Sequence, residues 1–261
     1  MYYALQRCTA PQRQALQPLW QFHRQVRGIV TGVSDAAVAQ AKLAWWRAQV
    51  DALSQGRAEH PTLRALAPVV RQHGLPASAL LAVIDSVAID LQQNRWLDRP
   101  ALLHYAMLSG GQMLRNAAAL LDVQTSEDLD AAQALGTGLR LADFIRHLGR
   151  DAAQGRVYVA LDALQRHGVT AADLQQRRMH PGVAALLAEQ TGLARQTLDD
   201  AMRTLGQARR GHATPLLALG AMAQAVLREI ERSDYAVLHQ RISLTPLRKL
   251  WISRTCTWRR G

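Results

Sequence analysis

The residues most able to do chemistry in this sequence lie in two stretches where arginines and carboxylates recur at helical spacing. In the first stretch, residues 22–31, the spacing of three and four places one set of side chains on a single helical face: Arg24, Arg27, Gly28 and Thr31. Arginine guanidiniums bind phosphate oxygens through paired hydrogen bonds. This face therefore indicates phosphate binding, and it offers a magnesium ion no carboxylate.

The second stretch, residues 141–158, keeps acids beside basic side chains. Asp143, His147 and Asp151 recur every four residues, so they are expected to share a helical face. The arginines beside them are Arg146 and Arg150. Pairing of the two acids with nearby arginines is one expected outcome. The alternative is a residual metal site at Asp143 and Asp151, because carboxylate oxygens are ligands that magnesium prefers.

The composition describes a folded chain without covalent or metal cross-links. Its 261 residues, 49% of them apolar, suffice for one large domain with a continuous core. Cys8 and Cys256 lie near opposite ends without CxxC spacing, which argues against a disulfide framework or a zinc site. The start shows no secretory signal, and the uncharged stretch 215–227 is too short to span a bilayer. We expect a cytoplasmic protein.

The formal net charge of +11 is carried by arginine apart from two lysines. Such an excess suits phosphates, nucleic acid or an anionic membrane, although an ordinary arginine-rich surface is equally consistent with it. The arginines are spread through amphipathic segments, which argues against nucleic acid. Residues 252–261 are expected to be a flexible basic tail. Trp251 and Trp258 beside its cations would suit peripheral contact with the inner face of a membrane.

Apolar residues recur at helical spacing almost throughout, and no stretch shows the sustained alternation of a strand. The chain is therefore predicted to be all-α and to form a single domain over residues 1–261. Ser34 and Asp35 are expected to cap the helix that follows, and Gly110 and Gly111 to interrupt a later one. The longer expected helices cover residues 36–56, 77–98, 100–121 and 129–154, with three or four more within 171–249.

Five stretches in register over residues 15–251 together resemble the squalene/phytoene synthase family. Three of them are AVAQAKLAWWRAQVDAL, YAMLSGGQM with Tyr105 and Gly110, and LAVIDSVAIDLQQNRW, which keeps the family's Asp...Asp-x-x-x-x-Arg pattern at Asp85, Asp90 and Arg95. The other two are LADFIRHLGRDAAQGRVYVALDALQRHGV and REIERSDYAVLHQRISLTPLRKLW. The resemblance implies an isoprenoid-synthase-type helical bundle around a central apolar cavity. In active relatives, aspartates from two facing helices hold magnesium at the mouth of that cavity.

The resemblance also suggests roles for individual residues. The candidates for catalysis are Asp85, Asp90, Tyr105 and Asp151. The candidates for binding substrate or phosphate are Arg24, Arg27, Arg95, Arg146, Arg150, Arg156 and Tyr158. For Arg156 a helix-end salt bridge is the equal alternative, and for Tyr105 ordinary burial is the commoner role. His23, His104, His147 and His180 lack ligand partners at i+3 or i+4 and are expected to be surface or structural residues.

The chain departs from the family at both acidic motifs. The first family motif runs Phe-x-Arg-x-x-Asp-Asp-x-x-Asp, and here its three acidic positions are Arg27, Gly28 and Thr31. In the second motif, His147 and Arg150 replace acids. Met113 stands where the family has glycine and is expected either to narrow the cavity or to fill the core.

Three functions remain open from the sequence. The first is an active head-to-head prenyl transferase that uses Mg²⁺. The second is a catalytically inactive member of the family that acts in binding or assembly. The third is a protein whose arginines hold a prenyl diphosphate or lipid phosphate directly. A mitochondrial factor for respiratory complex I assembly, which resembles this fold with degraded aspartate motifs, is a precedent for the second. The inverted charge of the first motif favours loss of the magnesium-dependent reaction, so that no cofactor is expected.

Overall fold

The computed structural model describes residues 2–33, 35–123, 125–207 and 212–256, and over these ranges the chain is helical without a β-strand. The all-α prediction is confirmed. The helices are α1 (Tyr2–Leu5), α2 (Ala10–Arg27), α3 (Ile29–Gly32), α4 (Ala36–Ser54), α5 (Pro61–His73), α6 (Ala77–Gln92), α7 (Arg99–Ala106), α8 (Gln112–Leu120), α9 (Ser126–Arg146), α10 (Leu148–Ala153), α11 (Leu161–Arg166), α12 (Ala171–Gln175), α13 (Pro181–Leu205), α14 (Thr214–Arg232) and α15 (Pro246–Thr255).

Helix α9 lies at the centre of the bundle and packs against α8, α13 and α14. Its buried positions include residues on several sides of the helix, as expected for an element surrounded by others. Glycines permit its closest approach, which is to a π-helical turn, Met107–Gly111, that joins α7 to α8. A Cβ atom at Gly136 would lie 2.5 Å from the carbonyl oxygen of Gly110. The interruption of the helix predicted at Gly110 and Gly111 is therefore confirmed as a π-helical turn. It allows the backbone of this turn to pack closely against α9.

The predicted cap of α4 at Asp35 is confirmed, whereas the predicted end of α6 is wrong. The carboxylate of Asp35 accepts hydrogen bonds from the backbone of Ala37 and Val38, whereas Ser34 lies outside the described residues. The helix expected over 77–98 ends at Gln92. Residues 93–98 leave the helix because the buried Trp96 pairs with the backbone of the segment after α10, where the amide of Leu161 donates to the Trp96 carbonyl at 2.8 Å.

The helix expected over 129–154 is divided in two. Helix α9 begins at Ser126 and ends at Arg146, and α10 starts at Leu148 after a break at His147. The helix is therefore not continuous between Asp143 and Asp151. Helix α10 packs close to the 3₁₀ turn Ala236–Leu238, and a Cβ at Gly149 would lie 2.6 Å from the Leu238 carbonyl oxygen.

The expected flexible tail, residues 252–261, begins inside a helix. Helix α15 continues to Thr255, its Ile252 and Ser253 are buried, and the Ser253 hydroxyl donates to the Tyr3 carbonyl at 2.7 Å. The first part of the tail is therefore anchored to α1. Residues 257–261, with Trp258, lie outside the described residues. Among the helices of the described ranges, none combines the length and the apolar composition needed to cross a bilayer.

Candidate functional site: a cavity with a cationic end

A cavity of about 470 Å³ opens between the N-terminal helices, α9 and the C-terminal helices. Its apolar walls come mainly from α8, α9 and α14, and they include Met113, Leu139, Leu219, Met222 and Val226. Met113 also borders a small separate void beside α1. The polar lining collects at one end: His23, Arg27, Ser109, Arg140, Asp143, Arg146 and Lys249.

Asp90 is the buried acid next to this polar end. Its carboxylate accepts hydrogen bonds from the hydroxyls of Tyr105 at 2.5 Å and Tyr158 at 2.7 Å. It also pairs with the guanidinium groups of Arg156 at 3.1 Å and Arg27 at 3.3 Å. The full set of partners compensates the cost of burying a charge. Burial raises the pKa of Tyr158 far above its usual range, with Tyr105 and Asp90 adding to the shift, so the Tyr158 hydroxyl remains a hydrogen-bond donor.

Arg27 is positioned by the last turn of α2 and lies at the cavity surface. One of its nitrogens donates to the Tyr105 hydroxyl at 3.1 Å, and another lies 3.3 Å from Asp90. The side chain thus turns inward, as phosphate binding requires. Arg24, one turn earlier, is exposed and is not part of the cavity lining.

Arg140 is the cavity residue that sequence reasoning missed. Its guanidinium donates to the Tyr105 hydroxyl and to the Ser109 hydroxyl, each at 3.3 Å. The same group lies over the rings of Phe144, Tyr158 and Tyr105, 4.5, 5.7 and 5.9 Å from their centroids. This aromatic box stabilises a cation through the ring faces. Spacing could have identified it, since Arg140 lies three residues before Asp143 on the same helix.

His23, which was expected to be a surface or structural residue, lines the cavity. Its ring stacks on Trp20, and its Nε2 lies 3.1 Å from the Ser109 carbonyl oxygen. Burial, together with the neighbouring Arg27, lowers the pKa of His23 to about 4. The imidazole is therefore neutral near pH 7 and donates to Ser109 without adding charge. Of the other histidines, His104 is exposed.

The mouth of the cavity carries Asp143 between basic groups. Its carboxylate lies 3.9 Å from Arg146 and 4.0 Å from His147. Arg146 donates to the Ile242 carbonyl at 2.9 Å, which ties α9 to the segment before α15. Burial lowers the pKa of His147, so this side chain adds little positive charge at neutral pH. Lys249 reaches the same mouth from α15.

Several residues proposed from the sequence lie elsewhere. Arg150 is 61% exposed and forms a two-nitrogen contact with Asp151, and neither side chain lines the cavity. Arg95 donates to the Gly155 carbonyl at 2.6 Å and holds the turn before Arg156. Asp85 pairs with Arg47 on the surface, where both side chains are about half-exposed. For Arg156 the ion pair with Asp90 matches the structural alternative.

The acids of this site do not fit a magnesium ion. Magnesium requires near-octahedral oxygen coordination, usually with more than one carboxylate beside substrate oxygens. Both oxygens of Asp90 already accept from tyrosine and arginine donors, and Asp151 is held by Arg150. In the described part of the chain, no three His, Cys, Asp or Glu side chains form a group able to hold a metal. The residual site considered at Asp143 and Asp151 is also divided by the break at His147.

Comparison with known proteins places this geometry in a family. A family model described as squalene/phytoene synthase matches residues 1–248. A phytoene synthase from Thermus thermophilus is 30% identical over 206 residues, which cover 78% of this chain and 70% of that protein. A chloroplastic phytoene synthase from Arabidopsis thaliana is 23% identical over 93% of this chain, which spans 59% of that protein's length.

Solved structures agree in fold. A dehydrosqualene synthase crystallised with a ligand superposes with a TM-score of 0.90 at 17% identity, covering 99% of this chain and 90% of that one. A squalene synthase from Alicyclobacillus acidocaldarius superposes with a TM-score of 0.83 at 23% identity. The match covers 89% of this chain and 88% of that one. These matches confirm the isoprenoid-synthase-type bundle, and with the family match they show that this chain belongs to the squalene/phytoene synthase family.

Proposed function

We propose that this protein binds a lipid with a phosphate or diphosphate head group in its cavity, and that it does not catalyse magnesium-dependent joining of prenyl diphosphates. The observation that carries the proposal is Arg27, a guanidinium at a position where the family has an acid. It lies at the cavity surface and is paired with the buried Asp90.

The charges at the polar end favour an anionic head group. Arg27, Arg140, Arg146 and Lys249 line it against the single carboxylate of Asp143. Within the described residues the Lys249 ammonium has no ionic or hydrogen-bonded partner, so it is available to a ligand. Guanidinium and ammonium groups bind phosphate oxygens without a bridging metal ion.

The rest of the cavity suits an apolar chain. Its walls beyond the polar end are aliphatic and sulfur-containing side chains of α8, α9 and α14. A volume of about 470 Å³ is in the range of pockets that hold one small ligand. Met113 stays buried at the wall where the family has glycine, which supports a narrowed cavity. An amphiphile with one isoprenoid or acyl chain matches this shape better than two chains do.

Two features oppose catalysis. Departure of a diphosphate group creates charge that active relatives neutralise with magnesium, and here the acids are engaged by arginines and tyrosines. The aromatic rings best placed to stabilise a carbocation already hold the guanidinium of Arg140. A permanent cation at that point would repel a carbocation formed beside it.

The second candidate function is an active synthase in isoprenoid biosynthesis. It is favoured by the 30% identity to a phytoene synthase over most of the chain. The two functions differ in their need for magnesium. The protein should be incubated with farnesyl or geranylgeranyl diphosphate in the presence of either magnesium or a chelator. Both the binding of the substrate and the release of diphosphate are then measured.

Binding that is unchanged by the chelator, with no diphosphate released, is the expected result. Arg140→Gln should weaken it by about 10- to 100-fold, because a charge-assisted hydrogen bond contributes about 1.5–3 kcal/mol. Lys249→Gln, at the mouth of the cavity, should weaken binding without disturbing the packing of the core. An equal loss in Arg150→Gln would place the head-group site at α10 instead. Magnesium-dependent release of diphosphate would establish the synthase, and no binding under either condition would leave a role with a protein partner.

A further inference from the structure

The positive charge of the chain is concentrated in its two terminal segments. Residues 1–34 and 235–261 contain ten Lys or Arg and no Asp or Glu, so they hold ten of the eleven net positive charges. The 200 residues between them are nearly neutral. An ordinary arginine-rich surface would distribute the excess along the chain, and this chain does not.

The fold brings these two segments together at the cavity mouth. Helix α1 packs against α14 and α15, and the Ser253 hydroxyl joins α15 to the backbone of Tyr3. Tyr2 and Tyr3 from the first segment line the cavity, as do Leu244 and Lys249 from the last. Described residues of both basic segments therefore line the cavity.

These two segments also expose apolar side chains. Leu247 is 80% exposed, Tyr2 67% and Trp251 55%. They are three of the seven large apolar side chains exposed in the described part of the chain, although α1 and α15 are short. Leu247 and Trp251 lie four residues apart on one face of α15, with the exposed Arg254 three residues further on that face. Arg7, two residues after the end of α1, and Arg241, five residues before the start of α15, are also exposed.

We propose that α1 and α15 form a docking surface for an anionic lipid bilayer, which brings the cavity mouth against the membrane so that the bound lipid enters from it. The entry of the lipid from the membrane rests on the proposed function, whereas the docking of α1 and α15 on the bilayer does not. Charge complementarity selects this occupant: Trp and Leu enter the interfacial region, and surrounding cations attract acidic head groups. A protein partner or a second copy of the chain would account for the exposed apolar side chains, but not for the concentration of positive charge in the two terminal segments.

The test is flotation of the whole protein with vesicles of phosphatidylcholine, with and without phosphatidylglycerol. Binding should require phosphatidylglycerol and fall as salt is raised, since salt screens exposed charges. Leu247→Glu should weaken vesicle binding roughly tenfold, and Leu247→Glu combined with Trp251→Glu should weaken it further. Leu97→Glu is the matched control, because Leu97 is 74% exposed in the segment before α7. It should bind vesicles like the unchanged protein.

Lipid-phosphate binding in solution separates this proposal from the proposed function. The α15 variants should still bind a soluble short-chain prenyl diphosphate, because Leu247 and Trp251 do not line the cavity. Vesicle binding that is unaffected by Leu247→Glu, or equally affected by Leu97→Glu, would overturn the docking surface. So would a dimer in sedimentation that the α15 variants dissociate while vesicle binding persists.

Discussion

Arg27 and Asp90 form an ion pair at 3.3 Å across two helices, α2 and α6, that meet at the polar end of the cavity. In the family motif that residues 22–31 resemble, the position of Arg27 is acidic, so the pair replaces two like charges with two opposite ones. An acid at 27 beside Asp90 would repel it unless a cation lay between them. The arginine provides that cation permanently.

Asp90 and Asp85 were both candidates for catalysis, and the structure predicts a much larger loss of stability when Asp90 is removed than when Asp85 is. Asp90→Asn would leave Arg27, Arg140 and Arg156 close together around a neutral amide. Losing one partner of a buried charge network costs about 3–5 kcal/mol. Asp85→Asn breaks a pair on the surface and should cost less than about 1 kcal/mol. Urea denaturation of both variants measures the two free energies of unfolding.

Replacing Arg27 tests the same network from its cationic side. In Arg27→Gln, Asp90 keeps Arg156 and both tyrosine donors. We therefore expect a smaller loss, about 1–3 kcal/mol. Arg24→Gln is the matched control, since Arg24 lies on the same helix but is exposed, and it should change stability by less than about 0.5 kcal/mol. A gain of stability in Arg27→Gln would mean that its guanidinium is poorly paired and is held for a ligand instead.

The sequence identified most members of this network but not their relationship. Asp90, Tyr105, Arg156 and Tyr158 were each matched to the family separately, because helical spacing links only residues three or four apart. Asp90 and Tyr158 are 68 residues apart, and only the packing of α6 against the turn after α10 brings them to 2.7 Å. The all-α class needed no such information, since it follows from local apolar periodicity.

The sequence left the direction of several side chains near the site undetermined. Asp151 was expected on the same helical face as Asp143 because the α9 spacing was extended through His147, where the helix breaks, whereas Arg150 was a candidate through the family resemblance. Arg95 matched a family pattern, yet it holds the turn at Gly155. Arg140 was omitted because it lies outside the acidic motif, although its guanidinium lies over the Phe144 ring and donates to the Tyr105 hydroxyl. Each of these differences concerns the direction in which a side chain points, which the neighbouring residues in the sequence do not determine.

His23 predicts a dependence of stability on pH. Its pKa is about 4 in the folded protein and about 6.5 when unfolded, so between these values the unfolded chain binds more protons. Stability from keeping this histidine neutral is fully present above about pH 6.5 and is lost as the pH falls towards about 4. The expected loss is of the order of 1–3 kcal/mol. It is measured as the free energy of unfolding in urea across that interval.

The variant His23→Gln isolates this contribution from that of other groups. Glutamine keeps a donor for the Ser109 carbonyl but does not titrate. Burial lowers the pKa of His60 and of His147 as well, and both contribute in the same direction in either protein. The difference between the two proteins should therefore narrow at acidic pH. Parallel stability curves across the interval would show that His23 accepts a proton as easily when folded as when unfolded.

Two glycines in helix interiors should respond oppositely to alanine, which tests the contact that shapes the cavity. A Cβ at Gly136 would lie 2.5 Å from the Gly110 carbonyl oxygen and 2.8 Å from the Cα of Gly111, and these backbone atoms cannot yield without moving the π-helical turn. Gly136→Ala should therefore destabilise the protein by about 1–3 kcal/mol or more. It should also weaken ligand binding, because Gly110 and Gly136 both line the cavity.

Gly192 is the control, since it lies exposed within α13 and a Cβ there would meet no atom within 4 Å. Alanine favours a helix over glycine by about 1 kcal/mol, so Gly192→Ala should raise stability by up to that amount. Thermal denaturation of the two variants reports the contrast directly. Similar melting temperatures for both would mean that α9 and the turn are not in close contact, and that the polar end of the cavity is wider than the distances between these glycines imply.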